Sequence, residues 1–208
     1  MATILERGES FTIDKQNDLH QFKVFFGWKS VEDIDCFAFL LGKDGFITDD
    51  ADFVFYNSET REIPFSREKF NNKRNWRSLT RPMSADGSVL GYLDDQEELD
   101  MQSGFHGESL MIDLNKVKPV ITEIALCFSK YRGNNDDILN SHIREPFISI
   151  KYLDTLQEVC RYELNETIDS AMGVWAGSFL KDEGGNWSFK AIGQCFPHGI
   201  QSLINIFA

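Results

Sequence analysis

Apolar residues in this chain come in short blocks rich in aromatic and β-branched side chains, broken by Gly, Asp and Asn. Phe22–Trp28 (FKVFFGW), Cys36–Leu41, Phe53–Tyr56, Ser88–Tyr92 and Leu110–Leu114 are the blocks of the first half. Ile124–Tyr131, Phe147–Leu153, Val159–Leu164, Met172–Leu180 and Trp187–Phe196 follow at fairly regular intervals in the second. Such blocks fit the pleated, half-buried surface of a strand. In Trp187–Phe196 the side chains Trp187, Phe189, Ala191, Gly193 and Cys195 fall on one face, because strands alternate with a period of two. Lys43-Asp44-Gly45 and Ala85-Asp86-Gly87 are turn signals, and residues 133–137 and 182–186 are loop signals. The first of these turns lies between Cys36–Leu41 and Phe53–Tyr56, which predicts that the two strands neighbour each other as a hairpin with an irregular loop. Helical spacing is clearest in the tail, where Ile200, Leu203, Ile204 and Phe207 recur after Gly199. Many short strands with one terminal helix predict an all-β fold, a two-sheet β-sandwich with a short C-terminal helix. No internal repeat and no interdomain linker interrupts the pattern, so a single domain over residues 1–208 is expected.

Residues 58–84 break the pattern. They lack strand alternation, carry Pro64 and Pro82, and hold Arg61, Arg67, Lys69, Lys73, Arg74, Arg77 and Arg81 against Glu59, Glu62 and Glu68. One reading is a solvated insertion with a short helix around Arg67–Asn72. The other is a basic arm that packs on acidic groups elsewhere or presents Arg and Trp76 to an anionic partner.

Charge sharpens this contrast. The chain has 21 basic and 33 acidic residues and a net charge of −12 at pH 7. Such a field repels nucleic acid and anionic membranes and favours cations or basic partners. Acids sit at strand edges: Asp33 and Asp35 before Cys36–Leu41, and Asp49, Asp50 and Asp52 before Phe53–Tyr56. Gathered at one rim of a sheet they would repel one another unless water, a basic group or a cation intervened. Residues 94–100 (DDQEELD) add five acids in seven positions. No apolar run is long enough for a membrane span, and the start MATILERGESFTID lacks the apolar core of a signal peptide, so cytoplasmic residence is expected. Cys36, Cys127, Cys160 and Cys195 are isolated in apolar segments and read as reduced, buried thiols. His20, His106, His142 and His198 are scattered, and no metalloprotease helix motif, P-loop, dinucleotide fingerprint or nucleophile elbow is present. A non-enzymatic protein is expected. The enzymatic alternative is a carbohydrate-active β-sandwich, with two carboxylates as acid and base and an exposed Trp28 or Trp76 stacked on a sugar ring.

DIDCFAFLLGKDG, DADFVFYN, DGSV and the ending CRYELNET…SAM…G…F…W-F-KAIGQ-F…GI resemble, in order and spacing, the TerD family of tellurite-resistance and stress-response proteins. The resemblance covers nearly the whole chain apart from residues 58–84. It implies a cytoplasmic, calcium-binding β-sandwich that acts through other proteins, in stress-response or membrane-associated complexes. Asp33 and Asp35 match the last two acids of the family's acid-x-acid-x-acid run, and Val31 stands where the first is expected. Asp52 and Asn57 match within DFVFYN. The family's calcium loop is replaced here by GYLDDQEELDMQSGFHGE: Asp94 or Asp95 stands for its first part and Glu108 for its terminal Glu, while His106 and Gly107 occupy positions where the family has acids. The implied Ca²⁺ ligands are therefore Asp33, Asp35, Asp94, Asp95 and Glu108. Ca²⁺ takes six to eight oxygen ligands, and neither DIDCFA nor DDQEEL has the sixth-position Gly of an EF-hand, so separate loops must supply the site. The altered loop leaves three outcomes: one site lost, one rebuilt from Glu97, Glu98 and Asp100, or no calcium. In the last case the basic residues of 58–84 would neutralise the acidic rim of a metal-independent interaction module.

Overall fold

The computed structural model describes residues 2–14, 20–29, 34–93, 105–130, 143–164 and 171–208. Asp33, Asp94 and Asp95 lie outside them. In chain order the strands are β1 (Thr3–Leu5), β2 (Ser10–Thr12), β3 (Gln21–Trp28), β4 (Ile34–Gly42), β5 (Phe53–Val54), β6 (Val89–Leu90), β7 (His106–Asp113), β8 (Ile121–Lys130), β9 (Phe147–Tyr152), β10 (Glu158–Glu163), β11 (Gly173–Lys181) and β12 (Trp187–Phe196). Helix α1 (Lys73–Leu79) lies in the basic insertion and α2 (Ile200–Phe207) ends the chain.

The strands form two six-stranded sheets, in the orders β1-β10-β9-β3-β7-β6 and β2-β12-β11-β8-β4-β5. Apart from the parallel β1–β10 pair, the named pairings are antiparallel. This is the two-sheet β-sandwich with a short C-terminal helix. Alternation decides which side chains meet between the sheets. Phe22, Val24, Phe26 and Trp28 of β3 face Cys36, Ala38 and Leu40 of β4 and Phe179 of β11 across one apolar core.

β4 reads as a continuous apolar run because both of its faces are covered. Phe37, Phe39 and Leu41 point outward and form a second core with Phe53, Ala125 and Cys127 beneath Leu203 and Phe207 of α2. Phe39 and Phe53 stack at 4.3 Å, and Phe207 lies 5.0 Å from Phe39. The predicted hairpin is present, with Ala38 opposite Val54 and Phe39 opposite Phe53.

The insertion has a small core of its own, built on Phe70 and Trp76, with Phe65 edge-on to the indole at 5.7 Å. Its helix lies wholly after the Arg67–Asn72 segment that the sequence suggests. Asn72, assigned to the helix end, is instead its N-cap and accepts from Asn75 N–H at 2.8 Å. No helix of the described residues is long and apolar enough to cross a membrane.

Candidate functional site

Antiparallel pairing separates the acids that stand at the two strand entrances. β5 enters where β4 leaves, so Asp49, Asp50 and Asp52 lie at the Gly42 end of β4, and Asp35 lies at the other. Two of the three acids at the far end have structural work. Asp49 caps a short 3₁₀ turn by accepting from Ala51 N–H at 2.8 Å. Asp52 is fully buried, accepts from Thr48 Oγ1 at 2.6 Å and faces Lys118 Nζ at 3.7 Å. Asp86 ties the same corner by accepting from Lys118 N–H at 2.9 Å and Ser84 Oγ at 2.7 Å. Burial pushes the Asp86 carboxyl up, but the bonds from Ser88, Lys118 and Ser84 outweigh it and hold it below the usual carboxylate range.

The two implied ligands that the structure describes, Asp35 and Glu108, both neighbour Cys36 but lie on opposite faces of β4. Glu108 lies near the start of β7, opposite Phe26, and its side chain points between the sheets like those of Leu110 and Ile112. There it crosses to the other sheet: Cys36 N–H donates to Glu108 Oε2 at 2.7 Å, and the Cys36 thiol hydrogen-bonds the same carboxylate. Asp35 precedes Cys36 and, by alternation, faces the outer side of β4. Two carboxylates, one from each sheet, therefore flank Cys36. Burial first, then the negative charges of Glu108 and Asp35, push its thiol well above its usual range. A thiol held neutral in this way is neither a nucleophile nor a metal ligand. Cys127 and Cys160 are buried too, with Cys160 pushed up to about 12, whereas Cys195 is half-exposed rather than buried.

Asp35 also lines a cleft of about 230 Å³ with Tyr56, Ser129, Lys130, Met172 and residues 197–200, between the ends of β4, β8 and β11 and the start of α2. Lys130 is nine-tenths buried there. The cleft that Asp35 lines thus holds the Lys130 amine as well as a carboxylate. Among the described residues no three His, Cys, Asp or Glu side chains form a metal-binding group. Asp35 and Glu108 are carboxylates of the kind Ca²⁺ takes, but from opposite faces of β4 they do not by themselves make one shell, and the other implied ligands, Asp33, Asp94 and Asp95, lie outside the described residues.

The described ion pairs of the basic insertion are internal to it. Lys73 and Arg77 both hold Glu59, and Arg81 holds Glu62 at 2.8 Å. Arg61 is buried and donates to the carbonyls of Tyr56, Ser58, Arg77 and Thr80. Sequence patterning did not reveal this role, because a lone Arg in a charged segment reads as solvated. Trp76 is equally buried, its Nε1 donating to Ile63 O at 2.6 Å, and Trp28 lies in the main core. Neither indole is exposed to stack on a sugar ring, which corrects the structural basis of the carbohydrate reading.

The TerD domain family matches residues 1–207. Two proteins named tellurium resistance protein TerD are similar along nearly their whole length. The one from Serratia marcescens is 25% identical over 98% of this chain and 95% of its own. The one from Alcaligenes is 26% identical with the same coverage. Among solved structures, a homologue of telluride resistance protein TerD from Streptomyces coelicolor A3(2) superposes with a TM-score of 0.58 at 12% identity, covering 89% of this chain and 95% of that one. That likeness concerns the fold.

Proposed function

This chain belongs to the TerD family, and on that premise we propose that it is a non-enzymatic, calcium-binding protein of tellurium resistance and stress response that acts through other proteins. What supports the calcium reading is the family match together with the Asp35 and Glu108 carboxylates on either side of Cys36. Ca²⁺ would be held by carboxylates drawn from Asp35, Glu108, Asp33, Asp94 and Asp95. The protein's own part is to fix the first two. Glu108 is oriented by the Cys36 N–H, and Asp35 is held in register opposite Ser129. Loops tied to that ion would present one ordered surface to a partner, and a cytoplasmic setting suits such a role.

The test is a set of thermal melts with Ca²⁺, with Mg²⁺ and with chelator, on the wild type, Asp35→Asn and Glu108→Gln. A calcium-specific rise that both variants lose supports the reading, and the absence of any calcium-specific rise in the wild type sinks it. The competing metal-free module would use the insertion's cations as the counter-charge. Against it stands the commitment of Lys73, Arg77 and Arg81 to Glu59 and Glu62, and of Arg61 to backbone carbonyls.

A further inference from the structure

We propose that the groove between the Tyr56–Asn57 turn and helix α1 is a binding site for a small phosphorylated metabolite. The groove encloses about 720 Å³ and is lined by Tyr56, Asn57, Asn72, Arg74, Asn75, Arg77 and Ser78. Its chemistry runs opposite to that of the whole molecule. In a chain of net charge −12, this surface carries two guanidinium groups and three carboxamides, and no carboxylate lines it. Arg74, Arg77 and Ser78 stand at i, i+3 and i+4, on one face of α1.

Several of these donors are unspent. Among the described residues, the side chains of Asn57, Arg74 and Asn75 make no hydrogen bond or ion pair, and Asn72 uses only its oxygen, as the helix cap. Arg77 is held in place by Glu59, with its Nη2 on the carboxylate. A planar fork of N–H donors beside amide groups is the arrangement that takes a phosphate oxygen pair while hydrogen-bonding a hydroxyl- or amide-bearing body.

The walls are rigid for a reason that lies beneath them. The buried guanidinium of Arg61 donates to Tyr56 O at 2.8 Å and Ser58 O at 3.2 Å on one side, and to Arg77 O at 2.7 Å on the other. Its Nε donates to Thr80 O and Oγ1, both at 2.9 Å. One side chain therefore clamps the turn to the helix at a fixed width. Such preorganisation lowers the ordering cost of binding. A merely solvated basic loop has no need of it.

Pyrophosphate, ADP and ribose 5-phosphate, with inorganic phosphate and a poly-glutamate peptide as further arms, would be titrated into the full chain under chelator. The readouts are calorimetry and backbone amide shifts. We expect saturable binding of at least one phosphorylated small molecule, with shifts at residues 56–57 and 72–78. Arg74→Gln should weaken it by about tenfold or more, as loss of a charge-assisted bond does. Asn75→Ala should weaken it to a smaller extent, and both variants should melt like the wild type, since neither side chain has a structural partner among the described residues. Asp35→Asn and Glu108→Gln should leave the affinity unchanged, which separates this site from the calcium rim. The proposal is overturned if no phosphorylated probe saturates at millimolar concentration, if binding survives both groove variants, or if the peptide alone binds.

Discussion

Gly107 stands where no side chain fits. A Cβ at this position would overlap the carbonyl oxygen of Phe26 and the ring of Phe25. Position 107 pairs with Gly27, whose own Cβ would overlap the Phe147 ring. The two glycines face each other because aromatic rings lie over the strands here. An acid at 107 is therefore excluded by the backbone, and Gly107→Asp should not improve calcium affinity. It should instead cost more than the ~1–3 kcal/mol of ordinary overpacking, whereas Gly27→Ala, which meets the Phe147 and Phe25 rings and no backbone atom, should cost less. Urea melts of the two variants give the order. Glu123 makes a second case at this scale. Burial raises its pKa, against the opposing bond from Ser178 Oγ at 2.6 Å. A carboxyl whose folded pKa lies above its unfolded value costs stability once it is ionised, and the cost disappears as pH falls through the raised value. Glu123→Gln should therefore melt higher than the wild type at neutral pH. The gap should close as the pH falls into the carboxylate range, and a gap that stays constant with pH would contradict this account.

The strands show what patterning alone can reach. Trp187–Phe196 was legible to the residue because it alternates between a buried and an open face, and α2 because its apolar stripe covers Phe37 and Phe39. β1 and β2 were not legible. Each is a three-residue edge strand, too short to show a period. Of the implied ligands, Asp35 and Glu108 both lie next to Cys36, on opposite faces of β4. The placing of Asp49, Asp50 and Asp52 on the same rim failed because a strand-entrance argument ignores the direction in which the neighbour runs. The insertion was hardest. Its helix is organised by a buried side chain from a distant turn, a long-range cause that local spacing does not carry. Arg61 is accordingly the residue on which that element depends. Arg61→Met removes the guanidinium that lies 5.7 Å over the Trp76 ring and leaves the carbonyls of Tyr56, Ser58, Arg77 and Thr80 without its donors. Unsatisfied buried acceptors cost about 1–3 kcal/mol each, so a total loss of several kcal/mol is expected. Amide exchange should rise first across residues 58–84, with β3 and β8 still protected, and uniform loss of protection would argue that the insertion is not a separate unit.

The two ends of the sandwich divide the work. The Asp52–Lys118–Asp86 corner closes one end with its own counter-charge. The other end holds Asp35 and Glu108 on either side of Cys36, and beside it lies a basic groove that shares Tyr56 with the Asp35 cleft. A net charge of −12 complicates any metal assay at this scale. Self-repulsion is relieved by every added cation, so Mg²⁺ and high Na⁺ should both raise the melting temperature through screening alone. Calcium must be judged by what remains after that general effect is subtracted. At a hundred times its dissociation constant, a ligand bound only by the folded state adds about 2.7 kcal/mol. For a domain of this size each kcal/mol is worth about 2–4 °C, so an excess of roughly 5–10 °C over equimolar Mg²⁺ is expected. Glu108→Gln should remove that excess and keep the screening part. Because Glu108 also accepts the Cys36 N–H, the amide variant can still accept that bond, so its melt in chelator should stay near the wild type. An excess that persists in Glu108→Gln would place the ion elsewhere on the acidic surface and break the link between Glu108 and calcium.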